Sequence, residues 1–175
     1  MPAQALIQVF AKAPEAGKVK TRLIPALGED GAARLQQRLI HRTLEQAVAA
    51  SAGRVELWCA PDVEHPFFRE CRERYHLDLR QQRGGDLGLR MQQALEEGLA
   101  RNLLPILVGT DCPALVGRDF QQAATWLRYK ADAVFCPVED GGYVLIGLSR
   151  PAPFLFENVP WSTQQVMEEA RRRLA

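Results

Sequence analysis

Apolar positions along this chain come in two rhythms. Short runs with few polar breaks, ALIQVF (5–10), RVELWCA (54–60), PILVG (105–109), AVFCPV (133–138) and YVLIGL (143–148), have the length of buried strands. Between them, apolar residues recur every three or four positions. From Gly28 to Ala52, the spacing of Ala33, Leu35, Leu39, Ile40, Leu44, Ala47 and Val48 predicts a helix, and Gly53 ends it. Residues 65–75 predict a second helix, polar on one face, with Phe67, Phe68, Cys71 and Tyr75 on the other. Further helices are predicted over Leu87–Arg101 with Asp86 as cap, over Arg118–Lys130, and over Ser162–Leu174 with Ser162 or Thr163 as cap. LDLRQQ (77–82) is a weaker strand suited to a sheet edge.

Strands alternating with helices predict an α/β fold in three layers, a mostly parallel sheet between two sets of helices. PILVG is the expected central strand. AVFCPV and YVLIGL stand close together across Glu139-Asp140-Gly141-Gly142. In such sheets ligands bind beyond the carboxyl ends of the strands, where strand order switches. The polar motifs of this chain each follow a predicted strand. No 20–50-residue repeat or linker divides the 175 residues, so one domain, 1–175, is expected.

Composition narrows the partners. With 47% apolar and 25% charged residues the chain is ordinary for a packed domain. A formal net charge of +1 leaves no general attraction to nucleic acid or to an anionic membrane, so any anion site is local. No apolar run is long enough to span a bilayer, and MPAQALIQVFAKAP lacks the features of a signal peptide, so a cytoplasmic location is expected. Cys59, Cys71, Cys112 and Cys136 form no CxxC pair and read as reduced thiols. His41, His65 and His76 are scattered and suggest no metal or nucleophile. The basic end, ARRRLA (170–175), suits a helix C-terminus.

Charge is concentrated in one place. FAKAPEAGKVKTRL (10–23) puts Lys12, Lys18, Lys20 and Arg22 after the first strand, with Pro14 and Gly17 allowing an irregular loop. Backbone amides, these cations and the Thr21 hydroxyl suit phosphate oxygens, although the spacing is neither a Walker A nor a dinucleotide fingerprint. A solvated basic loop is the competing reading. VGTDCPAL (108–115) places Asp111 just beyond the central strand, suited either to Mg²⁺ or Mn²⁺ or to an ordinary turn. VEDGGYVLIG (138–147) offers Glu139 and Asp140, with Asp140 as metal or substrate contact or simply as an Asp-Gly hairpin turn. GGDLGLRMQQAL (84–95) carries Asp86 and Arg90 at a helix start that also suits a polar ligand group.

In order, FAKAPEAGKVKTRL, GDLGLRM, GTDCPAL, DGGYVLIGL and WST resemble the DUF2064 family, designated as glycosyltransferases of the GT-A, nucleotide-diphospho-sugar transferase fold. The resemblance covers nearly the whole chain. More distantly the chain is similar to nucleotidyltransferases that make molybdenum guanine dinucleotide and to phospholactate or phosphoenolpyruvate guanylyltransferases. It implies that Lys12, Gly17, Lys18, Lys20 and Arg22 bind the nucleotide's phosphates; Asp86 is a further nucleotide-binding candidate from its place at the helix start, where ordinary capping is the competing reading. The resemblance also implies that Asp111 holds the metal, alone where a DxD pair would stand, and that Gly141, Gly142 and Tyr143 line the acceptor side. Family members continue beyond the WST helix into a DVDTPEDL-like segment not found up to Ala175. The resemblance therefore implies a site left open there, completed by a partner subunit, or reduced in activity.

The expected function is a metal-dependent transferase acting on a nucleotide sugar and a small-molecule acceptor, with Asp140 or Glu139 as base. The alternatives are a nucleotidyltransferase that uses a nucleoside triphosphate and releases pyrophosphate, and a nucleotide-binding module without turnover. A homodimer is one option for assembly.

Overall fold

The computed structural model describes residues 3–175; Met1 and Pro2, the start of the segment read above against a signal peptide, lie outside the described residues. Six strands form one sheet: β1 (Ala5–Lys12), β2 (Gly53–Ala60), β3 (Asp78–Gln81), β4 (Leu104–Val108), β5 (Ala133–Pro137) and β6 (Tyr143–Leu148). Their order is β3-β2-β1-β4-β6-β5. β1 runs parallel to β2 and β4, and β2 parallel to β3, while β6 is antiparallel to both of its neighbours. The short, polar β3 is an edge, as its composition predicts, and the fully buried β4 lies inside the sheet.

Side chains alternate between two apolar layers because successive strand residues point to opposite faces. Ile7, Val9, Leu57, Cys59, Ile106 and Val108 join the core beneath α1 (Ile24–Ala49), α2 (Pro66–Tyr75) and α4 (Gly117–Tyr129). Phe10, Trp58, Leu107 and Ile146 pack on the other face against α3 (Leu87–Ala100) and the segment from Ala152 to Trp161. This second layer also carries Gln8 and Glu56, register partners on neighbouring strands and both fully buried. Gln8 Nε2 donates to the Ala94 carbonyl at 2.7 Å, and Glu56 is held by Arg101 at 2.8 Å and by Trp58 Nε1 at 3.2 Å.

Three boundaries differ from expectation. A single turn, Ile24–Leu27, precedes Gly28, whose φ of +73° breaks α1 before the main helix starts. Gly53 does not cap that helix; it opens β2, where an added Cβ would stand 2.1 Å from the Ala5 carbonyl oxygen, so close strand approach explains the glycine. The last helix, α5 (Val166–Leu174), starts four residues later than predicted. Ser162 has left-handed backbone, and Thr163 donates to the Pro160 carbonyl at 2.7 Å and accepts from Gln165 N–H, so both belong to the preceding turn.

Candidate functional site

At the carboxyl ends of β1 and β4 the chain leaves in diverging directions. From β1 it crosses towards β2; from β4 it passes into the antiparallel β5–β6 unit. A crevice of about 1080 Å³ opens there, slightly above the ~300–1,000 Å³ range usual for small-molecule sites. One wall is the β1–α1 loop, another the turn after β4, a third the start of α3, and the β5–β6 hairpin closes the end.

The β1–α1 loop is built by its own hydrogen bonds. Ala13 N–H donates to the Ala60 carbonyl and Lys18 N–H to Glu15. Gly17 takes a φ of +80°, which favours glycine, and Lys20 adopts a left-handed backbone that starts the 3-10 turn Thr21–Leu23. The Lys12 ammonium spans the loop to the Lys18 carbonyl at 2.8 Å, and buried Gln36 on α1 donates to the Lys12 carbonyl at 3.1 Å. Lys12, Lys18, Lys20 and Thr21 line the crevice. Gly17 and Arg22 do not: Gly17 shapes the turn against Glu29, and Arg22 is exposed outside it.

Across the opening, Gly109 N–H donates to the Val144 carbonyl, Thr110 is buried, and Asp111 emerges with its carboxylate largely in solvent. That carboxylate forms an ion pair and hydrogen bond with Lys20 Nζ. The two motifs, 91 residues apart in sequence, thus meet across the crevice.

The β5–β6 hairpin has two roles. Asp140 accepts from Gly142 N–H at 2.9 Å, as an Asp-Gly turn should, and it also lines the crevice. Tyr143 lines the crevice too, ring edge against Phe135 at 5.1 Å, and burial pushes its phenol well above the usual range, so it stays protonated. Glu139, Gly141 and Gly142 stand outside the lining. Gly141 has a φ of +85° and packs so tightly on the C-terminal segment that a Cβ would lie 2.0 Å from the Gln164 carbonyl oxygen. Its own carbonyl accepts from Met167 N–H at 2.8 Å. Close contact with the protein, not with a ligand, is therefore what this glycine permits.

Asp86 likewise serves its helix: its carboxylate accepts from Leu89 N–H at 2.8 Å at the start of α3 and does not line the crevice. Its neighbours Leu87, Arg90 and Met91 do. Arg90 is steadied by its Nε donating to the Gly84 carbonyl at 3.1 Å. Sequence reading also passed over Phe10, Glu15, Gln36, Gln82 and Thr110 as lining residues. Gln82 Nε2 donates to the carbonyls of Trp58 and Ala11, which holds its amide in place. Position directly after a strand was the available signal for Gln82 and Thr110; Gln36 had none, since α1 carries it in from outside the motif.

Other titratable groups lie elsewhere. His41 bonds the Tyr75 hydroxyl, His65 caps α2, and no histidine lines the crevice. Burial pushes the Cys59 thiol up and that of Cys71 up to about 12, so both are inert. Among the described residues no three His, Cys, Asp or Glu side chains cluster as a ready-made metal cage. No helix among them is long and apolar enough to cross a membrane.

Known proteins share this fold. The family model described as "Uncharacterized protein conserved in bacteria (DUF2064)" matches residues 43–163. Among solved structures, a "putative nucleotide-diphospho-sugar transferase" from Desulfovibrio desulfuricans G20 is 30% identical at a TM-score of 0.84, covering 98% of this chain and 77% of its own. A cytidylyltransferase from Leptospira borgpetersenii serovar Hardjo-bovis (strain JB197) shares the fold at 13% identity and a TM-score of 0.60, over 97% of this chain and 73% of its own. A 4-diphosphocytidyl-2C-methyl-D-erythritol synthase from Anaerococcus prevotii DSM 20548 does so at 13% and 0.57, over 94% and 82%. No curated protein matches the chain in sequence.

Proposed function

The chain belongs to the DUF2064 family, and from that premise we propose that it is a transferase whose crevice holds the diphosphate of a nucleotide sugar between the β1–α1 loop and Asp111. One observation carries the reading: Lys20 and Asp111, from motifs far apart in the chain, meet at the carboxyl ends of adjacent parallel strands. A cation and a carboxylate facing each other across an open crevice suit a phosphate group, which needs positive charge directly and through a bound cation.

In this reading Lys12, Lys18 and Lys20, with the Thr21 hydroxyl, take phosphate oxygens, Gly17 sets the loop that presents them, and Arg22 adds positive field from outside. Asp86 acts only through the helix it caps, fixing the start of α3 at the edge of the crevice. Entry of the diphosphate draws Lys20 away from Asp111. Asp111 would hold a Mg²⁺ or Mn²⁺ ion brought in with the phosphates, leaving Asp140 free for proton transfer. Such an ion supplies positive charge to the leaving phosphate oxygens. The acceptor's hydroxyl oxygen attacks the anomeric carbon. The bond from that carbon to the phosphate oxygen breaks, the nucleoside diphosphate leaves with the electron pair, and the hydroxyl proton passes to Asp140. Asp140 lines the crevice with one oxygen engaged by Gly142 N–H, whereas Glu139 lies outside it. Tyr143 stands beside the acceptor, with Gly141 and Gly142 holding its hairpin.

A second reading draws on the named cytidylyltransferase relatives: the acceptor oxygen attacks the α-phosphorus of a nucleoside triphosphate, and pyrophosphate leaves. Incubation with Mn²⁺, a panel of nucleotide sugars and triphosphates, and mixed acceptors separates them. Release of nucleoside diphosphate supports glycosyl transfer, and release of pyrophosphate supports nucleotidyl transfer. Tight binding with neither product reduces the protein to a nucleotide-binding module.

A further inference from the structure

The crevice is chemically divided. Its β1–α1 side carries the ammonium groups of Lys12, Lys18 and Lys20. Its α3 side is lined mainly by the apolar Phe10, Leu87, Met91, Leu107 and Ile146 and the Tyr143 ring, with Arg90 the one charged side chain that α3 adds. Phe10, Met91, Leu107 and Ile146 belong to the apolar layer beneath α3 and are nearly covered, so they floor the crevice, and Leu87 supplies its most exposed apolar surface. Leu87 stands over it at the first turn of α3, about half exposed, where a polar residue would ordinarily stand. The wall is rigid. Trp161 packs so closely on Gly88 that an added Cβ would lie 2.5 Å from its indole nitrogen, which fixes the start of α3, and Phe156 stacks on Trp161 at 6.5 Å.

A sugar or other polyol seated against Leu87 and Met91 would lose hydrogen bonds to water there, with Arg90 and the Tyr143 hydroxyl as the polar groups on that side. From this division we infer that the acceptor is a molecule with an apolar, ring-sized body, which seats against Leu87, Met91 and Tyr143 and turns its reacting hydroxyl towards Asp111 and Asp140. The inference rests on the transferase reading above and adds the chemical class of the second substrate. The two halves take separate ligands, so a nucleotide on the lysines and an apolar ring on the α3 wall are accommodated together. Arg90, at the rim between them with only its Nε engaged, suits an acceptor that also carries a negative group.

The probe is 8-anilinonaphthalene-1-sulfonate, an apolar ring system with one anionic group, titrated by fluorescence into the full chain with and without saturating CTP or UDP-glucose and Mg²⁺. One saturable site is expected, with affinity changed less than about twofold by nucleotide. Leu87→Asn should weaken the probe at least about fivefold and leave nucleotide affinity within about twofold. Trp126→Ser, at an exposed tryptophan on α4 away from the crevice, should leave the probe unchanged. Lack of saturable binding, loss of the probe in Trp126→Ser rather than Leu87→Asn, or displacement of the probe by nucleotide would each overturn the inference. Its failure is distinguishable from failure of the transferase reading: a chain that binds nucleotide but no probe sinks only the apolar acceptor, and a chain that binds probe but no nucleotide sinks only the transferase.

Discussion

Lys20 and Asp111 form the one ion pair that spans the crevice among the described residues, and its energetics argue for function. The Asp111 carboxylate remains about three-quarters exposed, so the pair is screened by water and contributes only ~0–1 kcal/mol to folding. Lys20→Ala and Asp111→Asn should therefore each move Tm by no more than about 4 °C. In ligand binding the same groups face a charged phosphate, where a charge-assisted hydrogen bond is worth ~1.5–3 kcal/mol. We expect Lys20→Ala to weaken nucleoside diphosphates at least about tenfold and the matching nucleosides hardly at all. For Asp111→Asn the expected loss is confined to the Mn²⁺-dependent part of the affinity. Calorimetric titration checks both, and a nucleoside penalty equal to the diphosphate penalty would make the loop a structural element only.

Elements behave differently from single side chains here, because the C-terminal segment braces two walls of the crevice. Gln164 lies against Gly141 of the hairpin, and Trp161 lies against Gly88 of α3. Gly141→Ala forces a side chain onto left-handed backbone and into the Gln164 carbonyl, at a cost of about 2–4 kcal/mol. Thermal unfolding should show a Tm lower by about 5–10 °C, and an unchanged Tm would mean the segment is not docked. Acid should release the same brace. Arg172 and Arg173 hydrogen-bond Glu169 and hold its carboxyl at about 2, below the ordinary value of 4.5. A depressed carboxyl stabilises the folded state above its unfolded pKa, and that contribution is lost as pH falls from about 4.5 towards 2. Arg173 also donates to the carbonyls of Phe154 and Glu157, so α5 should loosen together with that turn. Amide-exchange protection of α5 should drop across this window in the parent and show no such step in Glu169→Gln.

For the whole molecule, the decisive feature is the order β3-β2-β1-β4-β6-β5, which sets β1 beside β4 and makes one crevice from two motifs. The face of the sheet towards α3 is tied laterally by fully buried Glu56, held by Arg101 and approached by Arg80 at 3.7 Å. Removing one partner of a buried pair strands the other, so Glu56→Ala should cost about 2–4 kcal/mol in chemical denaturation. Arg80→Ala, at a half-exposed and longer contact, should cost less than about 1 kcal/mol. Equal costs would show that the buried Glu56 carboxylate contributes no more than an exposed surface pair.

The pattern of apolar residues was enough for the six strands, the central place of β4, the edge place of β3 and the three-layer α/β class, because strand length, alternation and burial are local consequences of side-chain chemistry. It also marked the loop after β1 and the turn after β4 as polar ends of buried strands. Which polar ends meet was decided by tertiary structure alone: Lys20 reaches Asp111 only because β1 and β4 become neighbours. The roles of Gly53, Gly88 and Gly141 were hidden for the same reason, since a glycine required by a backbone or a ring from elsewhere in the chain looks, in sequence, like a glycine required by a turn or a ligand. The apolar α3 wall was likewise unreadable, because Phe10, Met91, Leu107 and Ile146 are ordinary core residues until packing leaves a space beside them.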